Sequence, residues 1–182
     1  MDTTRLRLAE VDDARPLAAL DVAAWRTAHR GLMPDALLEA LSEDAHAARW
    51  RERLATLAPD ARTWLLEGPV GGPVGGPWRL LGFTSTGLCR DDDVDSTRTA
   101  EVHALYLDPS HVGRGLGRAL MTRALDDLRA RGFAEVRLWA LEGNLRAERF
   151  YACAGLSPGR RVVKHVSGHA LPHVRWARGL AS

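Results

Sequence analysis

The segment His111-Val112-Gly113-Arg114-Gly115-Leu116-Gly117-Arg118 lies between a predicted strand and the clearest predicted helix of the chain. Its glycines occupy alternate positions, so no Cβ atom there blocks a ligand that approaches the backbone. The start of the following helix adds unpaired N–H donors and the positive end of the helix dipole. The segment is therefore a candidate cradle for a pyrophosphate, although the same pattern also suits a tight turn that binds nothing.

Two well-known nucleotide-binding motifs do not fit this segment. A dinucleotide fingerprint requires glycine where Arg118 stands, and its acidic residue should close the next strand, whereas Glu135 opens it. A P-loop requires a Gly-Lys-Ser/Thr sequence, and the chain has a single lysine, Lys164, far from the turn. Both motifs are therefore excluded.

Hydrophobic periodicity outside the turn predicts a single α/β domain that covers residues 1–182. The predicted strands are 4–9, 62–67, 78–88, 99–107 and 135–141, with a closing pair near 156–165 and 170–177. The predicted helices run from 12 to about 31, 35–41, 43 to about 57, 115–131 and 145–154. This order indicates a mixed sheet with helices on both faces. Residues 68–77, rich in Gly and Pro, are predicted to form a hairpin loop.

Composition narrows the classes of function. Hydrophobic residues make up 46% of the 182 residues and charged residues 26%, as in an ordinary globular protein. The net charge of +2 gives no sign of a nucleic-acid or membrane partner. No apolar run approaches the roughly 20 residues that span a bilayer. The two cysteines form neither a disulfide framework nor a metal cluster, so we expect a cytoplasmic protein without a metal site.

Three stretches together resemble the GCN5-related N-acetyltransferases. Residues 112–117 resemble the acyl-CoA-binding motif Gln/Arg-x-x-Gly-x-Gly/Ala, with Val112 in place of the usual Gln or Arg. Residues 144–156 resemble the segment Asn-x-x-Ala-x-x-Phe-Tyr-x-x-x-Gly-Phe, and residues 25–34 resemble the opening of one bacterial branch. The order of elements extends the resemblance over nearly the whole chain. It implies a mainly antiparallel mixed sheet, with acetyl-CoA as co-substrate and direct transfer to an amine in a ternary complex.

The resemblance also implies roles for individual residues. Tyr151 matches the acid that protonates the departing thiolate. The alternative is that Tyr151 serves only to pack its helix into the core. Asn144 matches a residue that bonds the pantetheine arm, and it is also a good helix N-cap. The remaining expected cofactor contacts are the strand edge Leu105, Tyr106 and Leu107 and the turn Val112, Gly113, Arg114, Gly115, Leu116, Gly117 and Arg118.

Glu101 and His103 are the candidate bases. They lie two apart on one strand, so their side chains share a face, and the resemblance places a base or a water relay nearby. His103 has a suitable intrinsic pKa, whereas Glu101 would act through water or need burial to raise its pKa. A salt-bridged glutamate and a packed histidine are the structural alternative.

The resemblance also implies that Trp25 and His29 border the acceptor pocket. They are spaced i, i+4 on the first long helix and point the same way. Core packing is the alternative for both. The resemblance further implies that the acceptor is the amine of a small molecule or peptide, and it allows a homodimer. A longer acyl-CoA donor, or a CoA-binding regulatory module without turnover, remain alternatives for the whole chain.

Overall fold

The structure is a computed structural model that describes residues 4–56, 58, 60–70 and 77–180. The predicted hairpin loop lies partly outside this range, because residues 71–76 are not described. The elements in chain order are β1 (Arg5–Leu8), α1 (Ala14–Ala28), α2 (Asp35–Glu39), α3 (Glu43–Ala55), β2 (Arg62–Pro69), β3 (Trp78–Leu88), β4 (Thr99–Leu107), α4 (Leu116–Ala130), β5 (Glu135–Leu141), α5 (Leu145–Cys153), β6 (Ser157–Val166) and β7 (His169–Gly179). Short 3-10 helices precede α1 and α4.

The predicted element order is confirmed, and most boundaries follow local chemistry. Ser42 caps α3, where its hydroxyl accepts the backbone N–H of Ala45 at 3.3 Å. Gly132, at φ +85°, follows the end of α4. Strand β2 continues past its predicted end, because Pro69 still pairs with Trp78. A proline at the last position of a strand removes only one donor from the ladder.

The strands form one sheet in the order β1-β2-β3-β4-β5-β7-β6. Every neighbouring pair is antiparallel except β4 and β5, which are parallel. The prediction of a mainly antiparallel mixed sheet is therefore correct. Strand β7 inserts between β5 and β6, so the last hairpin folds back beside β5 and leaves β6 at the edge.

The middle of the sheet is open. Within the two fully described strands β4 and β5, pairing covers only Thr99 to Glu101 of β4. Beyond Glu101, the edge of β4 that faces β5 has no hydrogen-bonded partner within the described part of β5. A register shift in the pairing with β3 leaves His103 as an extra residue, because Ser85 pairs with Ala104 and Thr86 with Val102. Such a bulge bends and twists the strand, which fits the separation of β4 from β5.

Helices cover both faces of the sheet, as predicted. On one face, α4 and α5 pack on a cluster that includes Val102, Met121 and Leu128. On the other face, α1 and α3 bury Phe83 and Trp50, and Tyr106 packs against that cluster. The α1–α2 connection packs on the β6–β7 hairpin through a third cluster. No helix in the described ranges is both long and apolar enough to cross a bilayer.

Candidate active site

A cavity of about 810 Å³ fills the opening between β4 and β5. We call its two ends the cradle end, at the glycine-rich turn, and the hairpin end, at the β6–β7 hairpin. The cradle end is lined by Val112, Gly113, Gly115, Gly117 and Arg118. The hairpin end is lined by Trp25, His29, Met33, Trp139, Leu141, Lys164, Val166, Leu171 and His173. Glu101, residues 103–107 of β4, Asn144 and Tyr151 line the cavity as well.

Backbone conformation explains the glycines of the cradle end. Gly113 has φ +88° and Gly115 has φ +81°, and an added Cβ at either would meet nothing within 4 Å. Glycine is therefore needed for the left-handed conformation and not to relieve crowding. Gly115 caps α4, so the first amides of that helix face outward without helical partners. Arg114 and Leu116, although predicted as contacts, are not among the cavity-lining residues.

The free edge of β4 lies beside this cradle. Leu105, Tyr106 and Leu107 all line the cavity. Gly117 lies beside Phe150 and Leu107, because a Cβ there would be in ordinary van der Waals contact with both, at 3.4 Å and 3.6 Å. The turn, the strand edge and α5 therefore border one continuous space.

Tyr151 lies on α5 between the core and the cavity. Its ring centroid is 5.5 Å from that of Phe150 and 5.9 Å from that of Trp176, so it packs in the core cluster. It also lines the cavity. Burial raises the pKa of Tyr151 to about 12, so the phenol stays protonated at neutral pH.

Asn144 serves the helix and still faces the cavity. Its Oδ1 accepts the backbone N–H of Ala147 at 3.1 Å and so caps α5. The cap uses the carbonyl oxygen only, and the side-chain amide keeps its two N–H donors. The two interpretations of Asn144 are therefore compatible, because each uses a different atom.

Glu101 is a buried carboxylate at the point where β4 and β5 separate. It is 8% exposed, and its Oε2 accepts the backbone N–H of Arg90 at 3.0 Å. Burial raises the pKa of Glu101, against the opposing effect of that hydrogen bond and the Arg90 charge. Among the described residues that line the cavity, Glu101 is the only acidic one.

His103 shares the face of Glu101, with its Nε2 atom 3.8 Å from Glu101 Oε2. Both ring nitrogens are engaged: Nδ1 lies 3.0 Å from Arg53 Nη2, and Nε2 lies 3.2 Å from the Leu88 carbonyl. These partners assign a neutral ring with its proton on Nε2. Burial, aided by Arg90 and Arg53, lowers the pKa of His103 to about 4. The imidazole is therefore neutral and its acceptor nitrogen already accepts a hydrogen bond.

Trp25 and His29 meet at the hairpin end, where their rings pack edge to face at 4.8 Å. His29 also lies 6.2 Å from the Tyr106 ring. Its Nδ1 is buried without a hydrogen-bond partner in the part of the chain that the structure describes. Burial, with a contribution from the charge of His173, lowers the pKa of His29 to about 4. Both residues line the cavity and both pack on other rings.

Sequence reasoning missed Lys164, Trp139 and His173. Lys164 projects from β6, and its Nζ lies 4.0 Å from the centroid of the Trp139 ring. Burial lowers the pKa of Lys164. The one available signal was compositional, since this is the only lysine in a chain with 24 arginines. Trp139 and His173 carry no local signal, because they reach the cavity only through the order of β5, β7 and β6.

The described residues contain no group of three or more His, Cys, Asp or Glu placed to hold a metal ion. The cavity instead offers backbone amides at the cradle end, an unpaired strand edge and a single carboxylate. Such a set of groups suits an elongated ligand with an anionic end and amide groups along its length.

Comparison with known proteins agrees with this architecture. A model of the Acetyltransferase (GNAT) family matches residues 25–156. A GCN5-related N-acetyltransferase structure from Rhodopseudomonas palustris superimposes with a TM-score of 0.73 at 22% identity, covering 98% of this chain and 97% of that one. The structure of yncA from Salmonella typhimurium, solved with its cofactor acetyl-CoA, gives 0.70 at 20% identity over 99% of this chain and 95% of that one. At these identities the similarity shows a shared fold.

A shorter match has higher identity. The mycothiol acetyltransferase of Beutenbergia cavernae is 48% identical over 65 residues, which is 36% of this chain and only 22% of that protein. The matched segment thus spans about a fifth of the length of that relative. The family match covers well over half of the chain and includes the glycine-rich turn, β4, β5 and α5. This chain belongs to the Acetyltransferase (GNAT) family.

Proposed function

We propose that this protein transfers an acetyl group from acetyl-CoA to the amine of a small molecule or peptide within a ternary complex. The observation that carries the proposal is the single cavity between β4 and β5. It joins the amides of the cradle end to the free strand edge and to Glu101, the only acidic residue among the described residues that line it. Family membership supports the class of reaction.

Acetyl-CoA fits the groups at the cradle end. The amides at the start of α4 suit its pyrophosphate, and Arg118 and Arg146 bring positive charge to the lining. Val112 offers only its backbone at the position where the acyl-CoA-binding motif has Gln or Arg. The unpaired edge at Leu105–Leu107 and the Asn144 amide suit the amides of the pantetheine arm. When bound, acetyl-CoA supplies an activated thioester with a thiol leaving group.

Glu101 is the proposed base. A carboxylate with a raised pKa is a better proton acceptor, and burial supplies that rise. His103 is less suited, because Arg53 and Arg90 already donate to its Nδ1 and Leu88 accepts from its Nε2. We assign His103 a positioning role, in which its neutral ring packs beside the Glu101 carboxylate, with Nε2 3.8 Å from Oε2, and holds the side chains of Arg53 and Arg90 next to it.

Tyr151 is the proposed acid, holding its proton on Oη until the thiolate departs. Its pKa of about 12 keeps it protonated, but makes it a weaker donor than an exposed phenol. A thiolate that leaves into the same apolar surroundings also becomes more basic, because burial disfavours its charge. Burial therefore raises both the pKa of the Tyr151 phenol and that of the departing thiol, which limits the difference between them.

A thiol-release assay with a panel of amines tests the proposal. We expect thiol release that depends on both acetyl-CoA and an amine, with the acetylated amine identified by mass spectrometry. Faster turnover with butyryl-CoA would indicate a longer acyl donor instead. Tight acetyl-CoA binding without turnover on any amine of the panel would indicate a regulatory module and would overturn the proposal.

A further inference from the structure

The hairpin end of the cavity contains a lysine ammonium without an anionic partner. Lys164 lines the cavity, and its Nζ stacks over Trp139 at 4.0 Å. It makes no hydrogen bond or ion pair with any described residue. A half-buried cation in this position has given up part of its hydration without gaining a counter-ion, so an anion bound beside it would restore the lost interaction.

The charges near Lys164 do not supply that counter-ion. Asp91 acts on Lys164 electrostatically, but its carboxylate accepts from Trp139 Nε1 at 2.8 Å and from Arg175 at 3.3 Å. Glu101 also acts on Lys164, yet the two side chains are not within the 4.0 Å of an ion pair. A gap therefore separates one ammonium from one carboxylate inside the same cavity.

The remaining wall of the hairpin end is mostly apolar. Trp25, Met33, Leu141, Val166 and Leu171 line it. Its histidines are of low basicity, because burial lowers the pKa of His29 to about 4 and also lowers that of His173. A polycation would find only Glu101 as an acidic partner among the described lining residues. The chemistry instead suits a small molecule with one anionic group and an apolar body.

We propose that the acceptor is an amine that carries a carboxylate, of the α-amino acid type with an apolar side chain, and that Lys164 selects it by pairing with the carboxylate. This inference rests on the proposed acetyltransferase function and names its substrate class. In an α-amino acid the amine and the carboxylate are held on one carbon atom. The carboxylate can therefore face Lys164 while the amine faces Glu101.

The test compares matched acceptors that differ only in charge. L-Leucine, L-methionine and L-phenylalanine are each assayed against the corresponding amino acid amide, with saturating acetyl-CoA. We expect kcat/KM to be higher for the carboxylates by about tenfold or more, as for a charge-assisted hydrogen bond. Lys164→Met should abolish this preference by slowing the carboxylates only, and Lys164→Arg should retain part of it.

Arg161→Met is the matched control. Arg161 lies on the same strand, but it is exposed and pairs with Glu142 at 2.9 Å outside the cavity lining. This variant removes one positive charge and should leave the preference unchanged. Amides as good as carboxylates in the natural protein, an equal loss for both in Lys164→Met, or transfer to none of the six acceptors would each overturn the inference.

Failure of the inference and failure of the proposed function are separable. Acetyl-CoA binding, measured by calorimetry on the natural protein and on Lys164→Met, reports on the cradle end, the free edge of β4 and Asn144 but not on Lys164, and should be the same for both. If acetyl-CoA binds and the acetyl group is transferred to spermidine but not to the amino acids, or to the amides as fast as to the amino acids, only the assignment of the substrate class is wrong. If acetyl-CoA does not bind, the function itself is wrong.

Discussion

Glu101 and His103 lie 3.8 Å apart, yet burial acts on them in opposite directions. It raises the pKa of Glu101 and lowers the pKa of His103 to about 4. An acid with a raised pKa gains its active, charged form as the pH rises through that pKa. We therefore expect kcat/KM to rise with pH on the acidic side because Glu101 loses its proton, while His103 is already neutral above about pH 5.

The pH profiles of two variants separate these residues. Glu101→Gln should lower kcat/KM by about 100-fold and remove the acidic limb of the profile, since general bases contribute about that much or more. His103→Gln should keep the acidic limb of the profile, whatever the value of kcat/KM that this variant retains. A limb that disappears in His103→Gln and persists in Glu101→Gln would reverse the assignment.

Tyr151→Phe tests the acid with a minimal change in shape. The variant keeps the ring that packs near Phe150 and Trp176 and removes only the hydroxyl. We expect kcat to fall by about 100-fold while the acetyl-CoA dissociation constant changes by no more than about twofold. Thiol release and calorimetry on the same preparation measure the two quantities. An unchanged kcat would show that another group donates the proton.

At the scale of elements, the turn before α4 depends on backbone conformation. Gly115→Ala forces an L-residue to φ +81°, which should cost about 1–2 kcal/mol of stability. Relief of that strain would displace the amides that face the cradle end, so we expect acetyl-CoA affinity to fall as well. Chemical denaturation and calorimetry measure the two effects.

Gly132→Ala is the matched control for the turn. Gly132 has φ +85° and nothing within 4 Å of an added Cβ, but it follows the other end of α4. It should lose similar stability without losing affinity for acetyl-CoA. Equal losses of affinity in both variants would mean that the turn binds no cofactor and that only global stability matters.

Elements with a strong local pattern were predicted from the sequence to the residue. The bounds of Trp78–Leu88, Thr99–Leu107 and Glu135–Leu141 agree with the structure, because each is a short run rich in apolar and β-branched residues between more polar or Gly- and Pro-containing segments. The bulge at His103 was not predicted. It depends on the register with β3, which is a long-range property that no local pattern specifies.

At the scale of the whole molecule, buried neutral histidines make stability depend on pH. The pKa of His29 is about 4 in the folded chain and near 6.5 when exposed. As the pH falls below about 6.5, the unfolded chain takes up a proton that the folded chain does not, so the free energy of unfolding falls until about pH 4. His29 alone should account for about 3 kcal/mol of that loss.

Comparison with His29→Leu isolates this contribution. The variant lacks the titrating group, so its stability relative to the natural protein should improve steadily between about pH 6.5 and 4. Urea denaturation at several pH values measures the difference. A difference that stays constant over this interval would show that His29 takes up its proton at the same pH in the folded and the unfolded chain, so that its pKa is not lowered by folding.

The sequence predicted the part of the site that lies in continuous motifs. The turn, the β4 edge, Asn144 and Tyr151 could be chosen as candidates because each lies in a continuous motif. Apart from Arg114 and Leu116 of the turn, all of them line one cavity. Lys164 and Trp139 could not be predicted in the same way. They meet only because β7 inserts between β5 and β6 and because β4 separates from β5, and both features are set by the assembled sheet.

Binding of acetyl-CoA in this cavity is tested most directly by a calorimetric titration of the purified protein with acetyl-CoA, with NADH and ATP as controls. We expect micromolar-range binding, about −8 kcal/mol, for acetyl-CoA alone, because only acetyl-CoA combines a pyrophosphate with an arm that can follow the free edge of β4. Absence of acetyl-CoA binding at millimolar concentration would contradict the cradle at Val112–Arg118 and the function proposed from it.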